Sequence, residues 1–341
     1  MNRWILAGLS RYVLWNMPEE RYVYLGVAAI IASPKMRQLM DMVVRLARMP
    51  ATVLITGETG TGKEIVARAV HHYSLRANKP WVDFSCGALP EHLVESELFG
   101  HEKGAFSGAD AVKPGLFEMA HTGTLFLDEV GELEPRMQVK LLRVLDGVPY
   151  YRVGGQKKIA ADVRIVAATN QDLEGAVAGR KFRADLFHRL NQCRIHVPPL
   201  RERREDIVPI AEYFLEQYAE RAEFSAGAKA ALEHHAWPGN IRELRNAVTH
   251  AVITAQSYRI DAADLEMSNP AAPALTAGRA HCAGPSHLDG MEREAILATL
   301  DRTGGHHQKT ADLLGISRRT LSRKLKLYRA NAPQEDHVYV A

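Results

Sequence analysis

The amino-acid sequence predicts an α/β fold with a parallel sheet, followed by a smaller all-α region and a basic helical module. Short apolar runs at 52–56, 124–127 and 163–168 alternate with helix-like segments that include 63–72 and 135–145. Strands that alternate with helices in this way are typical of a parallel sheet. After Pro198-Pro199 the strand signal stops, and only helical patterns follow, at 205–221, 226–235 and 240–255. These patterns predict an all-α subdomain behind the sheet.

Composition and charge narrow the class of protein. The chain has 341 residues, 46% hydrophobic and 24% charged, which is typical of a soluble globular protein of one to three domains. Its net charge of +3 is unevenly distributed, because residues 290–332 contain nine basic and four acidic residues. A small basic module on a neutral body indicates a nucleic-acid partner. The three cysteines, an odd number spaced far apart, argue against a disulfide framework, so we expect a cytoplasmic, nucleoid-associated protein.

The ends of the chain and its linkers show weaker patterns. Apolar stretches at 4–9 and 23–31 are too short and too often interrupted by charge to cross a membrane, so we expect no membrane partner. A stretch rich in Pro, Ala and Gly before residue 290 predicts a flexible linker. The predicted divisions are a poorly structured lead-in at 1–27, the α/β core at 28–200, the all-α region at 201–266, the linker at 267–289, a three-helix module at 290–332 and a tail at 333–341.

A glycine-rich segment between the first predicted strand and its helix predicts a phosphate-binding loop. Glycines let backbone N–H groups converge on phosphate oxygens, and a lysine neutralises the outer phosphates. The predicted nucleotide-binding residues are Gly57, Glu58, Thr59, Gly60, Thr61, Gly62, Lys63 and Glu64. A Ser or Thr that contacts Mg²⁺ usually follows the lysine, whereas here Glu64 does. Because the usual hydroxyl is missing, we expect a carboxylate outside the loop to coordinate the metal.

Polar residues follow two further predicted strands. Asp128 and Glu129 end the apolar run at 124–127, so they should lie at the carboxyl edge of the sheet beside the phosphate loop. Asp128 is the expected Mg²⁺ ligand, directly or through water, and Glu129 would polarise the attacking water. Thr169 and Asn170 end the next strand and could reach the γ-phosphate or the water; a simple strand-end turn is the alternative. The pattern predicts hydrolysis of ATP with Mg²⁺ as cofactor.

Between these motifs lies a segment in which one aromatic residue is surrounded by very small ones. It comprises Gly104, Ala105, Phe106, Ser107, Gly108 and Ala109. Such a segment packs poorly and suits an exposed hairpin tip that presents Phe106 to a partner. With the phosphate loop, the Asp-Glu strand end and the sequence Trp237-Pro-Gly-Asn-Ile-Arg-Glu-Leu, it resembles the bacterial enhancer-binding proteins, which are AAA+ ATPases that activate sigma-54 RNA polymerase. Their signature loop is Gly-Ala-Phe-Thr-Gly-Ala.

This resemblance implies roles for further residues. Arg183 and Arg189 match the arginines that act across a subunit boundary as arginine fingers, each typically worth about 10³–10⁵ in rate. Arg242 matches the lid arginine that senses the nucleotide state. Two positions depart from the family pattern. Ser107 replaces the usual Thr, and Ser85 stands where many members carry an Asn that pairs with the catalytic glutamate.

The sequence of the C-terminal module predicts two helices joined by a turn at a glycine. Ser317 is a natural N-cap, and a recognition helix would follow it with basic residues and no acidic ones up to Arg329. The expected DNA-binding residues are Ser317, Arg318, Arg319, Thr320, Arg323 and Lys324. The module resembles the Fis-type helix-turn-helix domains of the same family; a charged surface helix is the alternative. A unit this small needs dimerisation and paired half-sites for useful affinity.

These observations predict an ATP-hydrolysing transcriptional activator that binds upstream double-stranded DNA and remodels the closed complex of sigma-54 RNA polymerase holoenzyme so that the promoter can open. The chain itself is the other expected partner, from dimer to hexameric ring. Fewer than about 35 residues precede the ATPase, too few for a receiver or sensor domain, so we expect a separate regulatory protein or control by abundance. Two alternatives stay open: a chaperone-like AAA+ ATPase of another clade, and a repressor with a degenerate ATPase.

Overall fold

The computed structural model describes residues 20–219, 221–255 and 257–267. The chain divides into one compact unit over Met1–Ser268 and a second over Asn269–Ala341, and the described residues belong to the first. Most of the predicted lead-in, nearly all of the linker, the helix-turn-helix module and the tail lie outside the described residues. The divisions proposed there stay predictions.

The described chain contains a central sheet and several two-stranded ribbons. The strands are β1 (Glu20–Tyr24), β2 (Val27–Ile31), β3 (Val53–Thr56), β4 (Trp81–Ser85), β5 (Gly100–His101), β6 (Lys113–Pro114), β7 (Thr124–Asp128), β8 (Arg164–Thr169), β9 (Cys193–His196), β10 (Glu223–Phe224) and β11 (Arg259–Ile260). The α-helices are α1 (Pro34–Ala47), α2 (Lys63–His72), α3 (Glu91–Phe99), α4 (Leu116–Met119), α5 (Pro135–Leu145), α6 (Leu173–Ala178), α7 (Ala184–Leu190), α8 (Ile207–Tyr218), α9 (Ala226–His234) and α10 (Asn240–Thr254).

The central sheet has five parallel strands in the order β4-β7-β8-β3-β9. The three predicted strands, β3, β7 and β8, are its interior strands and are buried on both faces, which gives the continuous apolar runs seen in the sequence. The sequence patterns missed β4 and β9, which form the two edges. Edge strands keep polar residues, such as Asp83 in β4 and Arg194 in β9, and these interrupt the apolar signal.

Alternate residues of each interior strand pack on opposite faces of the sheet. Leu54, Leu125 and Ile165 belong to one apolar cluster, whereas Val53 and Phe126 belong to the other. Helices α1 and α2 contribute to the second cluster, and α3, α5 and α7 to the first. This two-faced burial fixes the register of the strands, so their carboxyl ends meet at one edge of the sheet.

The hairpin of β1 and β2 shows that the lead-in prediction for 1–27 is wrong from Glu20 onward. The two strands pair antiparallel around Leu25 and Gly26, which both have positive φ, as a tight two-residue hairpin turn requires. Tyr24 is buried and its ring contacts Tyr73 of α2. The sequence did not reveal this turn because Leu-Gly is a weaker turn signal than Asn-Gly.

The predicted all-α region is present as α8, α9 and α10, with bounds within three residues of those expected. A third apolar cluster, centred on the fully buried Trp237 and including Leu244 and Val248, holds these helices together. This region is called the lid below. Within the described residues, no helix combines the length and the apolar character that a membrane crossing requires.

Candidate functional site

The phosphate loop connects β3 to α2 and is closely packed against the lid. Gly60 and Gly62 have positive φ, a conformation that favours glycine. A Cβ atom at Gly60 would lie 2.5 Å from the carbonyl oxygen of Gly239 in the lid, so that position also needs the absence of a side chain. The loop therefore has a conformation that depends on its glycines and on the lid beside it.

Lys63 begins α2 and points back into the loop. Its Nζ donates hydrogen bonds to the carbonyl oxygens of Gly57 and Glu58, each at 3.0 Å. Burial lowers the pKa of this ammonium, while the nearby Asp128 and Glu129 carboxylates act in the opposite direction. The loop is thus already arranged around the cation that would meet phosphate oxygens.

Asp128 ends β7 and Glu129 directly follows it, at the same edge of the sheet. Burial raises the pKa of the Asp128 carboxyl, and a hydrogen bond from the Glu129 N–H, 3.0 Å long, opposes that rise. Glu129 has a left-handed backbone, with φ of 54°, which is a strained conformation for a residue with a side chain. Its Oε2 lies against Gly87, and Ser85 pairs with Asp128 across the strands. The charges of both carboxylates act on the Lys63 ammonium, so the predicted acidic pair lies close to Lys63.

Thr169 ends β8 and Asn170 directly follows it. Their side chains form hydrogen bonds with different residues. The Asn170 Nδ2 donates to the Thr59 Oγ1 of the phosphate loop at 2.8 Å. Thr169 is fully buried, and its Oγ1 accepts from the Gln171 N–H at 3.0 Å. Asn170 is thus the member of this pair that contacts the phosphate loop.

The lid brings Arg242 to the same place. The N–H of Ile241, in the first turn of α10, donates to the Gly60 carbonyl oxygen at 2.9 Å. The Cβ of Arg242 lies against Gly60, and its charge acts on both Lys63 and Asp128. The structure therefore brings together the phosphate loop, the acidic pair, Asn170 and Arg242.

Sequence reasoning missed an apolar cavity beside the phosphate loop. It has a volume of about 500 Å³ and lies between the β1–β2 hairpin, the loop and the lid. Its lining includes Ile30, Ile31, Gly62, Phe214 and Ile241. A mostly apolar cavity next to a phosphate loop has the shape and chemistry to hold the base of a nucleotide. The sequence signal for this cavity is the apolar stretch at 23–31, most of which lies within the predicted lead-in at 1–27.

Arg183 and Arg189 are placed differently from the other predicted residues. Arg183 precedes α7, and its guanidinium donates to both carboxylate oxygens of Asp185, at 2.7 and 3.1 Å. Arg189 donates to the carbonyl oxygen of Leu145 at 2.8 Å. Both side chains are half-exposed. The hydrogen-bond and ion-pair partners of these two arginines thus lie outside the phosphate loop and the acidic pair of the same chain.

The segment 104–109, called the Phe106 loop below, lies between the short antiparallel strands β5 and β6, as the predicted hairpin requires. The Phe106 side chain is 41% exposed, and its ring meets the edge of His101 with 5.0 Å between centroids. The Gly104 N–H donates to the Ala109 carbonyl oxygen at 2.8 Å and closes the loop. The loop is therefore closed at its base, with an aromatic side chain near its exposed tip.

A second segment, 150–159, supports the base of this loop. The Glu102 N–H donates to the Val153 carbonyl oxygen, and the Val153 N–H donates to that of Gly100. Arg152 forms ion pairs with Glu102 at 3.0 Å and with Glu118 at 2.7 Å. No motif in the sequence indicated this support, because its members are separated by up to 53 positions.

Comparison with known proteins agrees with this geometry. Residues 29–196 match the sigma-54 interaction domain, 201–277 the AAA+ ATPase lid domain, and 288–328 the bacterial regulatory protein domain of the Fis family. The transcriptional regulatory protein ZraR of Klebsiella oxytoca is 49% identical over 86% of this chain and 67% of its own length. The DNA-binding transcriptional regulator NtrC of Klebsiella pneumoniae is 42% identical over 93% of this chain and 74% of its own length.

A crystal structure of NtrX from Brucella abortus in complex with ATP is also similar, with a TM-score of 0.63 and 39% identity over 86% of this chain and 67% of the NtrX chain. Fold and site together define an AAA+ ATPase with a helical lid, to which the Fis-family match adds a helix-turn-helix domain. The chain belongs to the sigma-54-dependent transcriptional activators, and it is an ATP-hydrolysing member of that family. The expected DNA-binding residues from Ser317 to Lys324 lie outside the described residues but inside the Fis-family match.

Proposed function

We propose that this activator hydrolyses Mg²⁺-bound ATP at a site shared by two neighbouring copies of the chain. The observation that carries the proposal is the separation of the arginines: Lys63, Asp128 and Arg242 converge at one edge of the sheet, whereas Arg183 and Arg189 contact other parts of the chain. An arginine finger, Arg183 or Arg189, would then reach the site from another copy. We propose that copies assemble from dimers into a closed ring, which places every site between two subunits.

Each group at the site has a role that follows from its position. The backbone of the phosphate loop and Lys63 would bind the phosphates, and the apolar cavity would take the base. The donor set suits Mg²⁺, because Asp128 provides a partly buried carboxylate beside Lys63. When bound, Mg²⁺ would supply charge neutralisation at the phosphates. Glu129 would accept a proton from the attacking water, and Asn170 would help to orient the reactants.

We further propose that nucleotide state moves the Phe106 loop, which contacts the sigma-54 holoenzyme. The loop precedes β7 in the chain, and β7 ends at Asp128. The basic module, through Ser317 to Lys324, would hold the activator at an upstream DNA site as a dimer. The activator would act in the cytoplasm at the nucleoid. Of the alternatives, a chaperone-like ATPase is disfavoured by the sigma-54 interaction domain, and a degenerate ATPase by the intact site.

The shared site is tested by mixing two inactive variants. Arg189→Ala should bind ATP but hydrolyse it poorly, and Glu129→Ala should behave likewise. A mixture should recover part of the activity, because some interfaces then combine an intact Glu129 with an intact Arg189. The specific ATPase activity of the unmodified protein should also rise with its concentration.

The matched control is Arg194→Ala, which removes a comparably exposed arginine that is paired with Glu174. This variant should retain ATPase activity. Turnover that does not depend on protein concentration, together with no recovery in the mixture, would contradict a shared site.

A further inference from the structure

The segment that leads from the sheet into the lid contacts the phosphate loop through two arginines. Arg201 donates from both terminal nitrogens to the Glu58 carboxylate, at 2.6 and 2.8 Å. Arg203 is 3% exposed, and it donates to the Thr61 carbonyl oxygen at 2.5 Å. The start of the lid is therefore attached to the loop at two points, one near the surface and one buried.

Asn240, the first residue of α10, adds a third attachment and is completely buried. Its Nδ2 donates to the Thr59 carbonyl oxygen and to the Glu58 Oε2, each at 3.1 Å. Its Oδ1 accepts from the Leu200 N–H at 2.7 Å. One amide side chain thus joins the phosphate loop, the connecting segment and the helix that carries Arg242.

Glu58 is the residue on which these contacts converge. Its carboxylate binds Arg201 and Asn240, and its main-chain carbonyl oxygen accepts from the Lys63 Nζ at 3.0 Å. The hydrogen bond from Arg201 is the main reason that the pKa of the Glu58 carboxyl lies below its usual range. The side chain is therefore charged and turned toward the lid, so any contribution of Glu58 to phosphate binding comes from its backbone.

We infer that Glu58, Arg201 and Asn240 form a network that links the state of Lys63 to the position of Arg242. When phosphate oxygens replace the carbonyl groups around the Lys63 ammonium, the main chain of Glu58 is released on one side while its carboxylate still binds the lid. A change at Lys63 is in this way transmitted to α10. The inference rests on the proposed binding of phosphates by Lys63 and on the role of Arg242 in sensing the nucleotide state that the family resemblance implies, and it assigns Glu58, Arg201 and Asn240 as positioning residues.

Glu58→Gln and Arg201→Gln test the network, alone and combined, because both side chains are near the surface and can change without opening the core. In the nucleotide-free protein, hydrogen exchange at the Leu200 and Ile241 amides should become about two- to fivefold faster in each single variant. The double variant should be no faster than the faster single one, since both remove the same interaction. Arg201→Lys, which keeps the charge, should recover part of the protection.

A second measurement uses catalysis. Because lid contacts would bind the ground state and the transition state alike, Arg201→Gln should raise KM for ATP about two- to fivefold and leave kcat within about twofold. The control is Arg194→Gln, which breaks the Arg194–Glu174 ion pair outside the network and should change neither exchange at these amides nor KM.

The outcomes separate this inference from the proposed function. Unchanged exchange at Ile241 in both single variants, or additive effects in the double variant, would overturn the network even if ATPase activity is normal. An unmodified protein that fails to hydrolyse ATP would overturn the proposed function, whereas the exchange measurement needs no nucleotide and would still report on the network. If Arg194→Gln changes the amide exchange as much as the network variants do, the fold is loosened in general, and this result would also overturn the network.

Discussion

The phosphate loop and the Phe106 loop both depend on glycines with positive φ, but they do so for different reasons. Gly60 has a φ of 77° and Gly108 a φ of 98°. A Cβ atom at Gly60 would lie 2.5 Å from a lid carbonyl oxygen, whereas a Cβ atom at Gly108 would meet nothing within 4 Å. In the first loop glycine permits close packing, and in the second it permits only a backbone conformation.

This difference separates a loop that packs tightly against several other segments from one that is supported mainly by a single segment, 150–159. The phosphate loop contacts the lid, β8 and the segment after β9, so its geometry is determined by the whole unit. The Phe106 loop is held at its base by Arg152 and by hydrogen bonds with 150–159. Ala105, inside the loop, also lies against Gly154 of that segment. A loop supported mainly by one neighbouring segment can change position without disturbing the core, which suits a part that must engage a partner.

The largest expected effect comes from Gly60→Ala. Its new methyl group would overlap the Gly239 carbonyl oxygen, and the backbone there cannot move without shifting α10. We expect loss of ATP binding, measured with a fluorescent nucleotide, and a lower midpoint of thermal unfolding. Normal ATP binding by this variant would show that the packing of loop against lid is unimportant.

The second prediction concerns Phe106→Ala, which should separate transcription from catalysis. A fully buried Phe changed to Ala costs about 3–5 kcal/mol, and Phe106, which is 41% exposed, should cost less than that. ATPase activity and DNA binding should persist while sigma-54-dependent transcription is lost in a reconstituted assay. Ser107→Thr serves as a control that should retain transcription.

Two results would remove the Phe106 loop from the mechanism. One is a Phe106→Ala variant that unfolds several degrees earlier than the unmodified protein, because the side chain would then be part of the core. The other is a variant that still activates transcription.

The sequence predicts the features that depend on local patterns of residues, and it misses those that depend on contacts between distant segments. The interior strands were predicted because burial on both faces makes each of them a continuous apolar run, and the helices of the lid because burial on one face imposes a helical period on the sequence. Lys63 was predicted because it ends a glycine-rich motif at the start of a helix, and Asp128 and Glu129 because they follow a continuous apolar run. The structure brings these three residues together, as expected.

Contacts between distant segments could not be predicted. Arg201 and Asn240 lie 143 and 182 positions from Glu58, and neither belongs to a pattern that would reveal its partner. The contacts of Arg152 at the base of the Phe106 loop could not be predicted for the same reason. The β1–β2 hairpin was missed because its burial depends on α2 and the lid rather than on its own composition.

A smaller effect is expected for Gly108→Ala. An alanine at positive φ costs about 1–2 kcal/mol in backbone strain, and here there is no overlap to add to it. The free energy of unfolding in urea should fall by about that amount, with ATP binding unchanged. If Gly108→Ala impairs ATP binding as strongly as Gly60→Ala does, then the two loops do not differ in the way that their packing indicates.

The smallest expected effect is a pH dependence at the base of the Phe106 loop. Hydrogen bonds from Arg152 hold the pKa of the Glu118 carboxyl below its ordinary value of 4.5. A carboxyl whose pKa is lowered by folding stabilises the protein above its ordinary pKa, and this contribution is lost as the pH falls through the lowered value. Compared with Glu118→Gln, the unmodified protein should therefore be more stable by about 1 kcal/mol at neutral pH. That difference should shrink below about pH 4 when unfolding in urea is measured across the acid range. A difference that stays constant down to pH 3 would mean that the ion pair does not support the loop, and that hydrogen bonds between 100–102 and Val153 hold it alone.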